Sequence, residues 1–295
     1  MGNGKVYGQV YSLIRQERAG LLDALKVFAG LGYDGVELIS PFTDGLSVPE
    51  FKAFVQGLGL DVVSVMGLKT DEELAFGQKM GARFTVTSTS GHPATREDAL
   101  ALAATLDETG RNTARFGLKT LYHNHSVEFV RIGDTRLYDL LLQNTDPALV
   151  GFEFDVGWGA QAGMDCAAYV RNYPGRFPII HVKECNAVAK DEGDFEHFPA
   201  RIMGLAKSLA GDVRKGGGPP RFPAQAAALM YHSRRWNVEL GKGRIDWKAL
   251  AEAALAQGVA AFVNEREYYH IGENRAGEAV VACDMDYRFL RDLLG

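Results

Sequence analysis

The chain has little cysteine, with three residues in 295, and these lie far apart. Such spacing predicts neither a disulfide framework nor a zinc knuckle. It is typical of a reducing compartment, so we expect a cytoplasmic protein. The first residues contain no long hydrophobic run, which argues against a signal peptide and against a membrane span or membrane partner.

Basic charge is not in excess either. The sequence has 32 Lys and Arg against 37 Asp and Glu, so its formal net charge at pH 7 is −5. Because nucleic-acid phosphates attract basic surfaces, this balance argues against a nucleic-acid partner. Hydrophobic residues make up 46% of the chain, which is ample material for a globular core.

The sequence does contain a regular alternation of short apolar runs with longer amphipathic stretches. The apolar runs are rich in Val, Ile, Phe and Tyr, and their composition predicts strands. They cover Val6–Ser12, Gly35–Ile39, Asp61–Met66, Phe84–Thr87, Lys119–Asn124, Val150–Asp155, Ile179–Lys183 and Ala261–Glu265. Apolar residues spaced by three and four predict helices between them. These helices cover Leu21–Gly35, Val48–Leu60, Arg96–Leu118, Arg136–Asn144 and Asp246–Val259.

Alternating strands and helices predict a parallel sheet. Eight such units in a chain of this length predict one (β/α)₈ TIM barrel over residues 1–295, with an open doubly wound sheet as the alternative. One segment interrupts the rhythm at about residues 186–236 and includes the Gly/Pro-rich stretch "RKGGGPPRFPAQ". We expect it to form an elaborated loop at the C-terminal face of the barrel, where such enzymes carry their chemistry.

The stretch "VGFEFDVGWGAQAG", residues 150–163, contains the glycine spacing G-x-G-x-x-A of dinucleotide-binding turns. In those turns the motif follows the first strand, and an acidic residue follows about 20 residues later. Here the motif lies in the middle of the chain, and we expect the next helix to begin near Asp165, too late to pack on the glycines. The alternative interpretation, that Asp155 ends a buried strand as a metal ligand, is therefore favoured.

Polar side chains follow the last four predicted strands, at or just beyond the point where each strand ends. They are His123, His125 and Glu128, then Glu153 and Asp155, then His181 and Lys183, and finally Glu265 and Glu267. Because side chains alternate along a strand, residues two apart share a face, and in a barrel that face can point inward. Mixed nitrogen and oxygen ligands suit Mn²⁺, Mg²⁺, Fe²⁺, Co²⁺ or Zn²⁺.

Each of these residues also has a structural interpretation when it is taken singly. A histidine at a strand end can be hydrogen-bonded there, and an aspartate before a glycine can cap a turn. However, four consecutive strands end in such groups, and burial of such groups without partners costs several kcal/mol. A shared cation accounts for all four strands, so the sequence predicts a metal site.

Five segments of the chain resemble, in order and spacing, the xylose isomerase-like TIM barrels of the sugar phosphate isomerase/epimerase type. They are "YDGVEL", "YHNHSVEF", "FDVGW", "HVKE" and "GKGRIDW". The resemblance implies a divalent metal, Mn²⁺ in the first place, held by four strand-end residues. Asp155, His181 and Glu265 match three of them. The remaining ligand is either Glu128, which preserves three carboxylates and is favoured, or His123.

The resemblance also implies the chemistry. A base removes a proton next to the carbonyl of a keto-sugar or related polyol, and the reaction passes through an enediolate. His125 is the first candidate for this base, with His123 and Lys183 as further catalytic candidates. Glu37 and Trp158 are candidate substrate contacts, each with a structural role as the alternative.

The outcome of that chemistry stays open between two kinds of enzyme. A sugar isomerase or epimerase is the main expectation. The alternative is a lyase, either a dehydratase or an enzyme that eliminates from a 3-keto-glycoside or keto-inositol, and the "YHNH" segment is similar to such relatives. An abasic-site endonuclease and a non-catalytic sugar-binding barrel are less favoured. We expect a small-molecule sugar as substrate and a homo-oligomeric assembly.

Overall fold

The computed structural model describes residues 4–14, 20–88, 93–188, 237–266 and 278–295. Ten strands lie within these ranges: β1 (Val6–Gln9), β2 (Gly35–Ile39), β3 (Asp61–Met66), β4 (Phe84–Thr87), β5 (Lys119–His123), β6 (Arg131–Ile132), β7 (Thr135–Arg136), β8 (Val150–Asp155), β9 (Ile179–Val182) and β10 (Ala261–Asn264). Eight of them close into a parallel barrel in the order β1-β10-β9-β8-β5-β4-β3-β2, while β6 and β7 form a separate antiparallel pair. The predicted (β/α)₈ barrel and its eight strands are confirmed.

Helices cover the outside of the barrel. They are α1 (Tyr11–Ile14), α2 (Leu21–Leu31), α3 (Val48–Gly57), α4 (Asp71–Met80), α5 (Arg96–Ala114), α6 (Leu137–Asn144), α7 (Val156–Gln161), α8 (Cys166–Asn172), α9 (Trp247–Ala256) and α10 (Glu278–Leu294). The five predicted helices are present, and α1, α4, α7 and α10 are additional. Helix α8 begins beside Asp165 as expected, because the Asp165 carboxylate caps it by accepting the Ala168 backbone N–H at 2.9 Å.

The barrel strands bury side chains on both faces. Outward side chains pack against the helices in the large core that includes Val6, Phe152, Phe154 and Ile180. Inward side chains form a smaller apolar layer within the barrel, composed of Tyr7, Val63, Val86, Leu121, Ile179, Ala261 and Val263. This layer fills the barrel interior, as is usual in TIM barrels, so the polar residues at the strand ends lie above a packed apolar core.

A bulge in β3 interrupts the simple alternation of that strand. Val36 of β2 pairs with Val62, but Glu37 pairs with Ser64, so one extra residue lies in β3. The inserted residue allows both Val63 and Ser64 to face the barrel interior, where Ser64 Oγ donates to Glu37 Oε2 at 2.6 Å. Bulges commonly re-aim a side chain next to a functional site, and this one delivers a hydroxyl to a buried carboxylate.

Part of the predicted organisation lies outside the described residues. The elaborated loop expected at about residues 186–236 does so from residue 189 onward, and Glu267 does so as well. Within the described ranges, none of the helices combines the length and the apolar character needed to cross a bilayer.

Candidate active site

The register of four neighbouring strands brings the predicted site residues together. Strands β5, β8, β9 and β10 follow one another around the barrel. His123 lies beside Glu153, and Asp155 lies beside His181. Lys183 and Glu265 each follow the last residue of β9 and β10, on the inward face that alternation predicts. The polar ends of these strands therefore meet at one mouth of the barrel.

Asp155, His181 and Glu265 form the more open group of this cluster. One ligand atom from each of the three lies within 4.8 Å of the others. His181 Nδ1 is 3.3 Å from Asp155 Oδ2 and 3.8 Å from Glu265 Oε2. The Lys183 ammonium bridges both carboxylates, at 2.8 Å from Glu265 Oε2 and 3.2 Å from Asp155 Oδ2. These contacts bring together three of the four metal ligands that the resemblance implied.

Asp155 is held by contacts on both sides. Its Oδ1 accepts the Trp158 backbone N–H at 2.9 Å and so caps α7, which leaves Oδ2 to face the cluster. The Asn124 side chain clasps the Asp155 backbone, since its Nδ2 donates to the carbonyl at 3.1 Å and its Oδ1 accepts the N–H at 3.0 Å. Asn124 was not predicted; its signal was its position between two inward-facing histidines.

The glycines of the "GWGAQ" segment serve packing. A Cβ placed on Gly157 would lie 2.7 Å from Lys183 Cβ, and one on Gly159 would lie 3.1 Å from the Phe154 ring. Helix α7 begins at Val156 and therefore includes both glycines, contrary to the expectation that no helix starts before Asp165. The sequence analysis missed this short helix because its glycines are poor helix formers. Close helix–strand approach accounts for the glycine spacing without a dinucleotide.

His123 belongs to a second, deeper group with Glu153 and His181, and one ligand atom from each again lies within 4.8 Å of the others. His123 Nδ1 is 2.8 Å from Glu153 Oε2, while Nε2 is turned toward the mouth, 3.9 Å from Asp155 Oδ2. Glu153 was recognised in the sequence as a strand-end carboxylate but was given no role.

Glu128 is a member of neither group. Its side chain is fully buried, Oε1 accepts the Tyr122 hydroxyl at 2.8 Å, and Oε2 accepts the His125 backbone N–H at 2.7 Å. Both oxygens are thus used within the short 3-10 helix Ser126–Phe129 and its flank. The geometry favours His123 over Glu128 as the residue facing the cluster from β5, which reverses the preference derived from ligand chemistry.

Glu37 lies beneath the mouth and does not line the cavity described below. It is fully buried, accepts hydrogen bonds from Gln9 Nε2 and Ser64 Oγ, and approaches His181 Nε2 to 3.6 Å. The expected contact between Glu37 and a substrate hydroxyl is therefore replaced by a contact with the far side of His181. Neither Gln9 nor Ser64 was predicted, and the bulge that aims Ser64 has no local sequence signal.

The charges of the open group depress the pKa values of its carboxylates. Burial alone would raise the pKa of Asp155, but the Lys183 ammonium and the His181 imidazole outweigh burial and hold it well below its usual range. Burial likewise opposes ionisation of Glu265, yet Lys183 and His181 lower its pKa to about 2. Both carboxylates are therefore ionised at neutral pH.

The two buried histidines differ in protonation. Burial, reinforced by the charge of His181, lowers the pKa of His123 to about 4, so His123 is neutral at pH 7. Burial also disfavours charge on His181, but Glu153 and Asp155 overcome it and raise the pKa of His181 well above its usual value. A metal bound at His181 would displace this proton, because an imidazole coordinates only when neutral. Beneath them, burial and the neighbouring Glu153 raise the pKa of Glu37 to about 7.

A cavity of about 410 Å³ opens above the cluster. Its lining residues are Tyr11, Ile39, Ser40, Met66, Gly67, Lys69, Val86, Thr87, Ser88, His123, His125, Trp158, His181, Lys183 and Glu265. One wall is continuous: the His125 ring lies 5.8 Å from the Trp158 ring, and Lys183 Nζ lies 5.1 Å from it. The predicted catalytic candidates His125 and Lys183 thus flank the predicted substrate contact Trp158 in one cavity.

The residues present suit a divalent cation. The donors are imidazole nitrogens and carboxylate oxygens, the ligands of borderline and hard divalent metals. Among the described residues, four carboxylates lie in or beneath the cluster, those of Glu37, Glu153, Asp155 and Glu265, and the Lys183 ammonium contacts only the last two. In addition, His181 Nε2 and Glu153 Oε1 are buried without a hydrogen-bond partner. Unsatisfied buried groups are costly, and a nearby cation reduces that cost.

Two of the resembling segments prove to be partners in the structure. The Glu184 carboxylate of "HVKE" accepts Trp247 Nε1–H at 2.6 Å and the Gly241 backbone N–H at 3.1 Å, so it organises the "GKGRIDW" loop. A Cβ on Gly243 would collide with this carboxylate at 2.2 Å. Lys242 of the same loop is exposed and does not line the cavity.

The barrel can be placed among solved structures. It superimposes with a TM-score of 0.69 on a sugar phosphate isomerase/epimerase from Parabacteroides distasonis at 19% identity, covering 100% of this chain and 96% of that one. An IOLI protein with a bound zinc atom gives 0.66 at 13% identity, covering 99% of each chain. A probable 3-DHS dehydratase from Bacillus anthracis gives 0.63 at 12% identity, covering 97% and 98%. By fold, the chain is a TIM barrel similar to these structures.

Curated relatives have a higher sequence identity to this chain than these structures do, but they match only part of it. An inosose dehydratase from Clostridium beijerinckii is 29% identical over 127 residues, which is 38% of this chain and 42% of the relative. An inosose dehydratase from Lactiplantibacillus plantarum is 31% identical over 87 residues, 30% of this chain and 28% of the relative. The chain thus spans about two-fifths or less of the length of these relatives. No protein-family model matches the chain.

Proposed function

We propose that the protein is a metal-dependent lyase that eliminates water from a keto-polyol of the keto-inositol type. The observation that carries the proposal is the arrangement of two proton-transfer groups of different chemistry, His125 and Lys183, on either side of Trp158 in one cavity. Elimination needs a base at a carbon and an acid at a leaving oxygen, whereas isomerisation can return the proton through one group. The partial matches to inosose dehydratases support the same choice.

The residues that would hold the metal are His123, Asp155, His181 and Glu265. Their inward atoms are His123 Nε2, Asp155 Oδ2, His181 Nδ1 and Glu265 Oε2, with separations of 3.3 to 3.9 Å between the partners that face each other. The cation would supply Lewis-acid polarisation of the substrate carbonyl and so acidify the neighbouring C–H bond.

His125 is the proposed base. Its ring lines the cavity and lies 5.1 Å from the His123 ring, whereas the Nδ1 atom of His123 is already engaged by Glu153. A neutral imidazole has a proton affinity suited to this step near pH 7. His125 removes the proton from the carbon next to the carbonyl, and the electron pair left on that carbon forms the new double bond as the β-hydroxyl departs.

Lys183 is the proposed acid for the departing hydroxyl. Its ammonium is fixed between Asp155 and Glu265 and lies against the Trp158 ring, so the ammonium is oriented before a substrate binds. It donates a proton to the leaving oxygen, which departs as water. The substrate loses one hydrogen and one hydroxyl in total. His125 then returns its proton to solvent and Lys183 takes one from solvent, which restores both groups.

An isomerase or epimerase is the second candidate, because it shares the first proton abstraction. It is favoured by the direct access of His125 to the cavity, since a single imidazole is able to return the proton to the neighbouring carbon. The apolar and hydroxyl-bearing wall of the cavity, with Ile39, Met66 and Thr87, would suit either substrate.

NMR of the Mn²⁺-loaded protein in D₂O, with a keto-inositol, a 3-keto-glycoside and a panel of keto-sugars, tests the proposal. We expect the keto-inositol to lose water. Because the carbon that loses the proton carries a hydroxyl, the unsaturated ketone formed is an enol and tautomerises to a 1,2-diketone. A product with its oxygens retained and deuterium at the carbon next to the carbonyl would replace the lyase by an isomerase or epimerase. Neither exchange nor elimination with any substrate, despite bound metal, would remove both candidates.

A further inference from the structure

One buried carboxylate of the cluster has no part in the proposed chemistry. The Glu153 side chain is fully buried and does not line the cavity, so a substrate has no contact with it. Its Oε2 is 2.8 Å from His123 Nδ1, and its Oε1 has no hydrogen-bond partner among the described residues. Burying a carboxylate with an unpartnered oxygen costs stability, and a role for Glu153 that acts through its neighbour His123 would account for it.

The contact with Glu153 determines which nitrogen of His123 is available. A neutral imidazole carries one N–H donor and one acceptor nitrogen. When the Glu153 carboxylate is ionised and accepts this bond, the proton lies on Nδ1, and the lone pair of Nε2 points toward the mouth and Asp155 Oδ2 at 3.9 Å. The His123 residue is almost fully enclosed, at 4% exposure, and its Nδ1 is held by Glu153 inside the barrel.

We infer that Glu153 is a positioning residue for the metal site: it holds His123 as the Nδ1–H tautomer so that Nε2 faces the cation. The inference rests on the proposed metal site. It gives a role to Glu153, which is not among the catalytic, metal or substrate residues predicted from the sequence. Carboxylates behind ligating histidines fix the ring and strengthen it as a donor, and their loss costs about 10- to 100-fold in metal affinity.

The strand register explains why Glu153 has this role. His123 of β5 and Glu153 of β8 are paired residues on neighbouring strands, so no loop movement is needed to bring them together. Glu37 stands in a similar relation to His181 Nε2, but at 3.6 Å, beyond hydrogen-bond distance. We therefore expect the stronger effect at Glu153.

A Co²⁺ titration of the full chain, followed by calorimetry and by the visible spectrum of the bound ion, tests the inference. In Glu153→Gln we expect one ion per chain as in the wild type, bound about 10- to 100-fold more weakly and with altered visible bands. Glu128→Gln is the matched control, because Glu128 is equally buried in the same region but belongs to neither ligand group. We expect its affinity to stay within about twofold of wild type, since it holds no ligand.

Several outcomes would overturn the inference. Unchanged Co²⁺ affinity in Glu153→Gln would remove the positioning role. Two ions per wild-type chain, with one lost in Glu153→Gln, would make Glu153 a ligand of a second cation. Weak binding in Glu128→Gln alone would return the ligand role to Glu128. Failure of the wild type to bind Co²⁺ is a separate result that would remove the metal site itself.

A measurement on the unmodified protein covers the case in which Glu153→Gln does not fold. The ¹⁵N chemical shifts of the imidazole nitrogens report which of them carries the proton. In the metal-free wild type at pH 7 we expect His123 to be neutral and protonated at Nδ1. Protonation at Nε2 would contradict the inference.

Discussion

The two halves of the barrel mouth carry different chemistry. The ends of β1 to β4 contribute mainly apolar and uncharged polar side chains to the cavity, namely Tyr11, Ile39, Ser40, Met66, Val86, Thr87 and Ser88, with Lys69 at the rim. The ends of β5, β8, β9 and β10 contribute imidazole, carboxylate and ammonium groups, namely His123, His125, Asp155, His181, Lys183 and Glu265. We propose from this contrast that the half with the charged groups, the reactive half, conducts the reaction, and that the other, the holding half, binds the substrate.

Concentrating the charges in one half has a physical reason. Asp155, Lys183 and Glu265 are buried or nearly so, and each would be costly alone. On neighbouring strands they compensate one another, and the remaining negative charge suits a divalent cation. The opposite half needs no such compensation, because its lining side chains apart from the exposed Lys69 carry no charge.

The largest expected effect comes from removing a ligand in the reactive half. Asp155→Asn retains the oxygen that caps α7 but loses the charge facing His181 and Lys183. We expect loss of tight metal binding and a fall in kcat/KM of at least about 10³-fold. Metal analysis and steady-state kinetics measure both effects.

Asp165→Asn is the control for this substitution, because Asp165 caps α8 through the same contact but lies outside the mouth. It should leave the metal content and kcat/KM unchanged. Equal damage from both variants would show that Asp155 acts only as a helix cap.

The second effect compares the two lysines that line the cavity. Lys183→Met removes the proposed acid, so we expect kcat to fall by about 10²- to 10³-fold while the metal is retained. Lys69→Met, on the opposite rim, should raise KM and leave kcat nearly unchanged. A substrate with a better leaving group should restore the kcat of Lys183→Met. Equal changes of kcat and KM in the two variants would contradict the proposed division between the two halves of the mouth.

A buried carboxylate outside the mouth provides a third comparison. Burial raises the pKa of Asp286 to about 6 although Arg266 lies 2.9 Å away, whereas Asp155 and Glu265 are kept low by Lys183. The folded protein therefore retains a proton on Asp286 that the unfolded chain releases near pH 4. Stability from this group is present at low pH and is lost as pH rises from about 4 to 6.

Relative to Asp286→Asn, the free energy of unfolding of the wild type should fall by roughly 3 kcal/mol over that pH interval and then stay level. Urea denaturation of both metal-free proteins from pH 4 to 8 measures the difference. A difference that is independent of pH would contradict the raised pKa.

The smallest effect is expected in the holding half. Thr87→Val preserves shape and removes one hydroxyl from the cavity wall. Because a single neutral hydrogen bond contributes about 0.5 to 1.5 kcal/mol, KM should rise by roughly 2- to 12-fold with kcat unchanged. A large loss of kcat would mean that Thr87 contributes to the reaction itself, and it would contradict the proposed division between the two halves of the mouth.

Much of this organisation was predictable from local patterns. The eight strands were located correctly, although β1, β5, β9 and β10 end one to three residues earlier than predicted. Alternation of side chains predicted that Asp155, His181 and Glu265 share a mouth. The holding half was missed because Ser40, Met66 and Thr87 have no distinctive chemistry, so only the strand-end rule applied to β2 to β4 would have found them.

The preference for Glu128 as a ligand illustrates what local patterns do not contain. The Tyr122 hydroxyl and the His125 backbone N–H each donate a hydrogen bond to one Glu128 oxygen. These bonds depend on the conformation of the 3-10 helix, which the local sequence pattern does not predict. Glu37 shows the same limit, since a strand-end acid was expected to reach the substrate and instead lies beneath His181.

The amino-acid sequence by itself determined the repeating strand–helix order and the identity of the strands that end in imidazole and carboxylate, because periodicity and strand ends are properties of neighbouring residues. Only the tertiary structure decided that Glu153 meets His123, that a bulge turns Ser64 toward Glu37, and that Gly157 of α7 packs on Lys183. Those contacts join residues distant in the chain, and they depend on strand register and barrel closure.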